Sequence, residues 1–216
     1  MSHSRTAPAC VLIALLACPC AVMAQAAAEG TIKLIEPAKK GGLTVMEAFS
    51  ARASVRSWSI RDLSMRDLSD LLWAANGVNR PDGKRTAASA INAQDVDLYV
   101  VMKGGAYQYD AANHALTLVA SGDHRSELGV PEAPVHLFLV SDGARFSRGA
   151  PEQKHEWGAI DSGIVSQNVG LFCAGRGLAT RPRASFDRDK LRSLLKLKGP
   201  QHAFLNHPVG YPVDAR

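Results

Sequence analysis

Two arginines four residues apart, with a serine midway between them, are the residues whose types and spacing most suggest chemistry in this chain. They are Arg52, Ser54 and Arg56. Apolar residues precede them at helical spacing and the β-favouring Val55 and Trp58 lie among and after them, so we predict that a helix ends here and presents the three polar side chains. Two guanidinium groups and a hydroxyl suit an anion with several oxygens, such as a phosphate. The alternative is a pair of solvated arginines after a helix.

Residues 1–26 have the layout of a secretory signal. A single charge, Arg5, precedes a short apolar run, and small residues follow it. The run is too short to span a membrane, which takes roughly 20 apolar residues. We therefore expect export, to the periplasm, with cleavage after Ala24 or Ala26. The alternative is a lipoprotein signal, which would leave Cys18 lipidated and the protein tethered to a membrane.

The length and charge of the chain after this leader favour one domain with a substantial core and an anionic ligand. The full chain has a formal net charge of +5 and no run of five like charges, which argues against a nucleic-acid-binding protein. Three of the four cysteines lie in the leader, so the exported chain can form no internal disulfide. The fourth, Cys173, lies in an apolar stretch, and we predict a buried small residue. The histidines lack the paired spacing of a zinc site, so no metal is expected.

The pattern of elements predicts an α+β fold. Helices are predicted over 43–51, 64–75, 157–175 and 187–195, and strands over 97–102, 106–109, 115–119, 134–140 and 207–211. The helix over 157–175 is apolar enough to be buried almost all round. We expect one domain over 43–216, with helices at both ends and a mixed, mainly antiparallel sheet between them. Residues 27–42 read as an arm or linker before that domain.

Several blocks of this sequence, in order, resemble the nitroreductase superfamily. After Arg-x-Ser-x-Arg come Leu-Leu-Trp-Ala-Ala-x-Gly-Val-Asn-Arg at 71–80, Arg-Thr-Ala-Ala-Ser-Ala-Ile-Asn-Ala-Gln at 85–94, Asp-Ser-Gly at 161–163, Gly-Leu-Ala-Thr at 177–180 and Val-Gly-Tyr-Pro at 209–212. The second and third blocks most resemble the branch that includes azoline-oxidising dehydrogenases of peptide modification. The resemblance covers nearly all of the chain after residue 43. It implies a nitroreductase-like fold and a homodimer with FMN at the interface.

The resemblance also assigns residues of the opening motif to the flavin. Arg52, Ala53 and Ser54 would hold the phosphate end. Arg56 would lie towards the N1–O2 edge of the ring, where a fixed cation stabilises the negative charge of the reduced form. Relatives add a basic residue near the C terminus to complete the phosphate site, and Arg216 is the residue available for that role.

Two further segments are assigned to the flavin ring in the same way. The Asn92 side chain would form hydrogen bonds with the oxygen and N–H groups at the edge of the ring, because a side-chain amide both donates and accepts hydrogen bonds. Ser89 and Gln94 belong to the same segment. Ala184 and Ser185, before a predicted helix, would offer backbone N–H groups to flavin N5 and O4. No protein side chain is assigned a catalytic role, since the flavin carries the chemistry.

The function implied by this resemblance is that of an exported FMN-dependent oxidoreductase. A donor, NAD(P)H or another molecule, would reduce the flavin and leave, and a flat electrophilic acceptor such as a nitroaromatic or quinone would then take the site. The alternative is a non-catalytic flavin- or small-ligand-binding protein of the same fold, because NAD(P)H is scarce outside the cytoplasm. An exported structural protein without flavin is a third possibility.

Overall fold

A seven-stranded antiparallel sheet organises the computed structural model, which describes residues 30–213. Its strands are β1 (Thr31–Lys33), β2 (Val96–Met102), β3 (Gly105–Asp110), β4 (Ala115–Ser121), β5 (Val135–Asp142), β6 (Ala179–Thr180) and β7 (Gln201–Gly210). The order across the sheet is β1-β4-β3-β2-β5-β7-β6. Four α-helices flank it: α1 (Val45–Ala51), α2 (Met65–Asn76), α3 (Pro151–Arg176) and α4 (Arg188–Leu194). The α+β prediction is therefore confirmed.

Two details of that prediction differ from the structure. Every neighbouring pair of strands is antiparallel, so the sheet is not mixed. The described chain also begins and ends with strands rather than helices, because part of the expected arm forms the edge strand β1 beside β4. The predicted leader with Cys18, and Arg216 at the other end, lie outside the described residues.

Three of the four α-helices, α1, α2 and α4, begin directly after a capping side chain. Thr44 and Glu47 form a capping box before α1: the Thr44 N–H donates to the Glu47 carboxylate at 2.7 Å, and the Glu47 N–H donates to Thr44 Oγ1 at 3.3 Å. Ser64 and Asp187 accept from backbone N–H groups at the starts of α2 and α4. These side chains satisfy donors that have no partner inside the first turn.

Alternation along the central strands gives the sheet two different faces. What we call the first face packs against α2 and α3, and Leu137 of β5 and Val165 of α3 belong to its core. The second face packs against α4, and Phe138 of β5 and Leu191 of α4 belong to its core. The longest helix, α3, therefore covers one face only.

The expectation that α3 is buried almost all round is wrong for the single chain. Ile160 is 54% exposed and Ile164 is 37% exposed, whereas the side turned to the sheet carries the buried polar residues Asp161, Ser162 and Ser166. The helix has apolar residues on two sides, and the sheet can cover only one of them. The outer side is left as an apolar surface.

Cys173 of α3 belongs to the core on the first face of the sheet. Cys173 is buried and unpaired, as predicted, and burial raises the pKa of its thiol above the usual range. Across residues 30–213, no helix has the length and apolar character needed to cross a membrane. Over the same residues, no three His, Cys, Asp or Glu side chains are grouped as metal ligands.

Candidate functional site

The segment that contains the two spaced arginines runs along the outer edge of β6. The backbone N–H of Val55 donates to the carbonyl oxygen of Thr180 at 3.0 Å. Arg52 ends α1, and its side chain lies over Gly170 of α3, where an added Cβ would be 3.8 Å from Arg52 Cδ. Helix α1, strand β6 and helix α3 therefore position this segment together.

The polar side chains of this segment are free to bind a ligand. Arg52, Ser54 and Arg56 are all exposed. Within residues 30–213, neither arginine forms an ion pair with a carboxylate. Two uncompensated guanidinium groups with a nearby hydroxyl suit the oxygens of a phosphate.

A buried chain of three polar side chains lies behind this edge and was not anticipated from the sequence. Thr180 Oγ1 donates to the carbonyl oxygen of Pro208 at 2.8 Å, so it must accept from Nδ1 of His207 at 3.1 Å. The other ring nitrogen then accepts from Ser166 Oγ at 2.7 Å. Burial lowers the pKa of His207 to about 3, so the ring is neutral. This network ties α3, β6 and β7 together beneath the arginine segment.

The segment Ser89–Gln94 has an unusual backbone. Ile91, Asn92 and Gln94 have φ angles of 49°, 54° and 48°, in the left-handed region that non-glycine residues seldom occupy. A β-branched residue in this conformation is strained, and such strain concentrates at functional sites. The side chain of Asn92 is exposed at the turn. The loop therefore exposes the side-chain amide of Asn92, which the family resemblance assigns to the flavin ring.

Ser89 and Gln94 hold this loop rather than point out of it. Ser89 Oγ accepts from the backbone N–H of Gln94 at 2.8 Å, and the Gln94 side chain donates to the carbonyl oxygen of Gly83 at 3.2 Å. The guanidinium of Arg145 donates to the Gln94 carbonyl oxygen at 2.8 Å. Both residues therefore support the loop, on which the side chain of Asn92 is exposed.

A pair of buried aspartates anchors the same loop to α3 and β5. The backbone N–H of Ala90 donates to Asp161 Oδ2 at 2.8 Å, and Ser141 Oγ donates to Asp95 Oδ2 at 2.5 Å. No described residue donates to the second oxygen of Asp95, which lies beside the Asp161 carboxylate. Burial, together with the charge of Asp161, raises the pKa of Asp95 to about 7. A proton on Asp95 then lets the two carboxyl groups share a hydrogen bond.

The segment at Ala184 and Ser185 links β6 to α4. Arg183 and Asn206 exchange two backbone hydrogen bonds of 2.8 and 2.7 Å just before it. Among residues 30–213, the N–H groups of Ala184 and Ser185 have no hydrogen-bond partner. They precede the first turn of α4, which starts at Arg188, so they are free because the segment lies between a β-bridge and a helix. Both are exposed and can donate to a ligand.

The chain is similar to known proteins over most of its length. The nitroreductase family model matches residues 49–211. A crystal structure of a nitroreductase-type protein from Ralstonia eutropha JMP134 is similar to the chain, with 32% identity, a TM-score of 0.81 and coverage of 86% of this chain and 91% of that one. A protein from Methanocaldococcus jannaschii, described as a nitroreductase, is 27% identical over 177 residues, which is 76% of this chain and 88% of the relative.

A more distant structure shares the fold. It comes from Parabacteroides distasonis, is described as an NADH dehydrogenase or NAD(P)H nitroreductase, and is 19% identical with a TM-score of 0.56 over 80% of this chain and 89% of that one. Sheet, helices and matches together define an oxidoreductase fold of the nitroreductase type. The chain belongs to the nitroreductase family.

Proposed function

We propose that this protein is an exported FMN-dependent oxidoreductase that moves hydride from NAD(P)H, or another donor, to a flat electrophilic acceptor of the nitroaromatic or quinone type. The observation that carries the proposal is the pair of exposed, uncompensated arginines at the β6 edge, Arg52 and Arg56, inside the region that matches the family. FMN, when bound, would supply the atom that accepts and returns the hydride, N5.

The polar groups at the β6 edge fit the chemistry of FMN. A phosphate needs cationic and hydroxyl donors, which Arg52 and Ser54 supply, with Ala53 between them. Arg56 supplies a cation for the electron-rich edge of the ring. The exposed amide of Asn92 can both donate and accept, as a pyrimidine edge requires. The free N–H groups beyond Arg183 add donors for ring oxygen and nitrogen atoms.

We propose that the protein works as a homodimer through an apolar surface on α1 and α3. Val45, Met46 and Phe49 of α1 are 67%, 76% and 52% exposed, and Ile160 and Ile164 of α3 are also exposed. The two helices pack against each other, so these exposed side chains lie on neighbouring elements. A large exposed apolar surface usually marks an interface. A second copy of the chain would cover it, as the family resemblance implies.

The test is a visible absorption spectrum of the mature protein after addition of FMN and desalting. We expect flavin bands that NADH or NADPH bleaches and that a nitroaromatic or quinone restores. Flavin that is retained but bleached by no nicotinamide would favour the non-catalytic binding protein instead. A protein that retains no flavin would contradict the proposal as a whole.

A further inference from the structure

Five of the nine buried side-chain nitrogen and oxygen atoms that lack a hydrogen-bond partner within residues 30–213 belong to only four residues. They are Nε of Arg181, Nη1 of Arg183, both ring nitrogens of His136, and Oδ1 of Asn206. Buried polar atoms are almost always hydrogen-bonded to protein, water or a ligand. The His136 and Asn206 side chains lie close enough to pair with each other, which leaves the arginine nitrogens as the donors that a ligand would satisfy. None of these atoms has a role in the flavin contacts described above.

The strand register places the two arginines on one side of the sheet. Thr180 pairs with Val209, and Arg183 pairs with Asn206 in the same register. Arg181 lies between these two pairs. Because side chains alternate between faces along an extended segment, Arg181 and Arg183 project from the same face as Asn206.

The pairing of β7 with β5 places His136 on this face as well. Asn206 pairs with Phe138 of β5, which belongs to the core of the second face, and His136 precedes Phe138 by two positions. All four residues with unpartnered atoms therefore share the second face, near the sheet edge. Besides burial, the positive charges of Arg125 and Arg183 lower the pKa of the His136 ring, whereas a hydrogen bond with Asn206 raises it. We call Arg181, Arg183, His136 and Asn206 the second-face cluster.

The second-face cluster is positively charged and lacks a counterion. Among residues 30–213, neither Arg181 nor Arg183 forms an ion pair. Burial lowers the pKa of Arg183, and the charge of Arg181 lowers it further. Burial also lowers the pKa of His136 to about 4, so this ring is a neutral donor. Both arginines are only half-buried, so an anion can approach them from solvent.

We propose that Arg181 and Arg183 bind a carboxylate group of the acceptor that this protein reduces. This inference rests on the proposed function, and it names a class of substrate: flat electrophiles that carry a carboxylate. Arg183 directly precedes Ala184 and Ser185, whose N–H groups are proposed to face the flavin ring. An acceptor stacked on that ring would have a carboxylate substituent beside Arg183, and bidentate pairing with guanidinium groups favours that anion.

The flavin phosphate is a less suitable occupant of the cluster. The side chain of Arg52, which is assigned to that phosphate, lies over Gly170 of α3 on the first face. The second-face cluster lies on the opposite side of the same edge. One phosphate group cannot bridge both faces of a strand, so the cluster serves another anion.

The test compares 4-nitrobenzoate with 4-nitrobenzamide, a neutral molecule of nearly the same shape, as acceptors for the FMN-loaded protein. We expect Arg183→Gln to raise the KM for 4-nitrobenzoate about tenfold or more, the usual effect of losing a charged hydrogen bond. The KM for 4-nitrobenzamide should change little, and Arg181→Gln should act in the same direction. The matched control is Arg188→Gln, which removes an exposed arginine stacked on Phe186 at 4.7 Å.

A binding measurement separates this inference from the proposed activity. Benzoate and benzamide are titrated into the oxidised, FMN-loaded protein, and the shift of the flavin spectrum is recorded. Benzoate-specific binding that Arg183→Gln abolishes supports the inference even if no nicotinamide reduces the flavin. Wild-type protein that binds both compounds equally, or neither, overturns it. So does a variant that loses affinity for FMN but not for riboflavin, because the arginines would then serve the phosphate.

Discussion

Arg52 is the single residue at which anion binding at the β6 edge is most directly tested. Its guanidinium is exposed and has no carboxylate partner in the described chain, while Gly170 leaves room for its aliphatic stem. We expect Arg52→Ala to weaken FMN binding by about 1.5–3 kcal/mol, the range for a hydrogen bond to a charged group. Isothermal titration of the apoprotein with FMN measures the effect.

The matched control for Arg52 is an exposed arginine remote from the edge. Arg148 lies just before α3, and a rise of 1.5 Å per residue puts Pro151 about 28 Å along that helix from Gly170. Arg148→Ala should leave FMN affinity unchanged. Equal affinity in the wild type and the Arg52 variant would remove Arg52 from the site.

Asp95 makes the stability of the fold depend on pH. Its carboxyl group faces Asp161 of α3 and the more distant charges of Arg85 and Arg145, and burial raises its pKa to about 7. Between about pH 4 and pH 7 the folded state keeps a proton that the unfolded state has lost, so this group reduces stability as the pH rises. Asp95→Asn mimics the protonated form. We therefore expect the free energy of unfolding of this variant, relative to that of the wild type, to increase by about 2–4 kcal/mol as the pH rises from 4 to 8.

Urea denaturation at a series of pH values measures that difference. The control is Asp82→Asn, because Asp82 is exposed and hydrogen bonds from Lys84 lower the pKa of its carboxyl. The Asp82 carboxyl of the wild type loses its proton well below pH 5. From pH 5 to pH 8 the free energy of unfolding should therefore change with pH in the same way in Asp82→Asn and in the wild type. Parallel curves for Asp95→Asn and wild type would show that Asp95 does not hold the proton.

At the scale of elements, α3 crosses β5 so closely that glycine is required. A Cβ at Gly158 would be 2.8 Å from Ser141 Cβ, and Ser141 cannot withdraw because its hydroxyl binds Asp95. We expect Gly158→Ala to lower the free energy of unfolding by about 1–3 kcal/mol, as overpacking does. Thermal unfolding followed by circular dichroism measures it.

Gly175 in the same helix is the control for that substitution. The nearest atom to an added Cβ there is 3.9 Å away, which is an ordinary contact. Gly175→Ala should be neutral or stabilise the helix by up to about 1 kcal/mol. If both variants lose the same stability, close packing at Gly158 is not the reason.

The apolar surface of α1 and α3 gives a prediction about assembly. An acidic side chain at Phe49 would be buried without a partner in a dimer, which is costly. We expect Phe49→Glu to halve the mass measured by light scattering. Ile60→Glu is the control, since Ile60 is 69% exposed outside the two helices. A wild-type protein that is already monomeric would contradict the interface.

At the scale of the whole molecule, export is a prediction from the leader alone. We expect protein recovered from the periplasm to have lost the residues up to Ala24 or Ala26. Intact-mass spectrometry distinguishes the outcomes: cleavage of the secretory signal gives an unmodified chain that starts at Gln25 or Ala27, whereas lipoprotein processing gives a chain that starts at Cys18 and carries added acyl mass. A full-length mass in the cytoplasm would contradict export.

Local signals in the sequence predicted most elements to within a few residues. Ser64 and Asp187 cap helices, as their position before α2 and α4 indicates, and the β3–β4 hairpin follows from alternation and a turn. The start of α3 was placed six residues late, because its first turns after Pro151 are polar and Ala150 offers no capping side chain. Strand β7 begins six residues earlier than predicted, at Gln201.

The candidate site was predicted only in part. The spaced arginines and Asn92 are exposed, and Ser89 and Gln94 support the loop, while the assignment of all these residues to a flavin stays a prediction. The loop is held at Ala90 by Asp161, which is 71 positions away in the chain. Such a contact has no local pattern, because it depends on how α3 crosses the sheet.

The sequence by itself determined the family, the class of fold, the arginine motif and most element boundaries, because these follow from periodicity, capping and short motifs. Only the tertiary structure decided which polar groups meet. The shared proton of Asp95, the neutral ring of His207 and the second-face cluster all arise from burial and strand register. Those quantities depend on the surroundings of a side chain in space, and neighbours in the chain do not specify them.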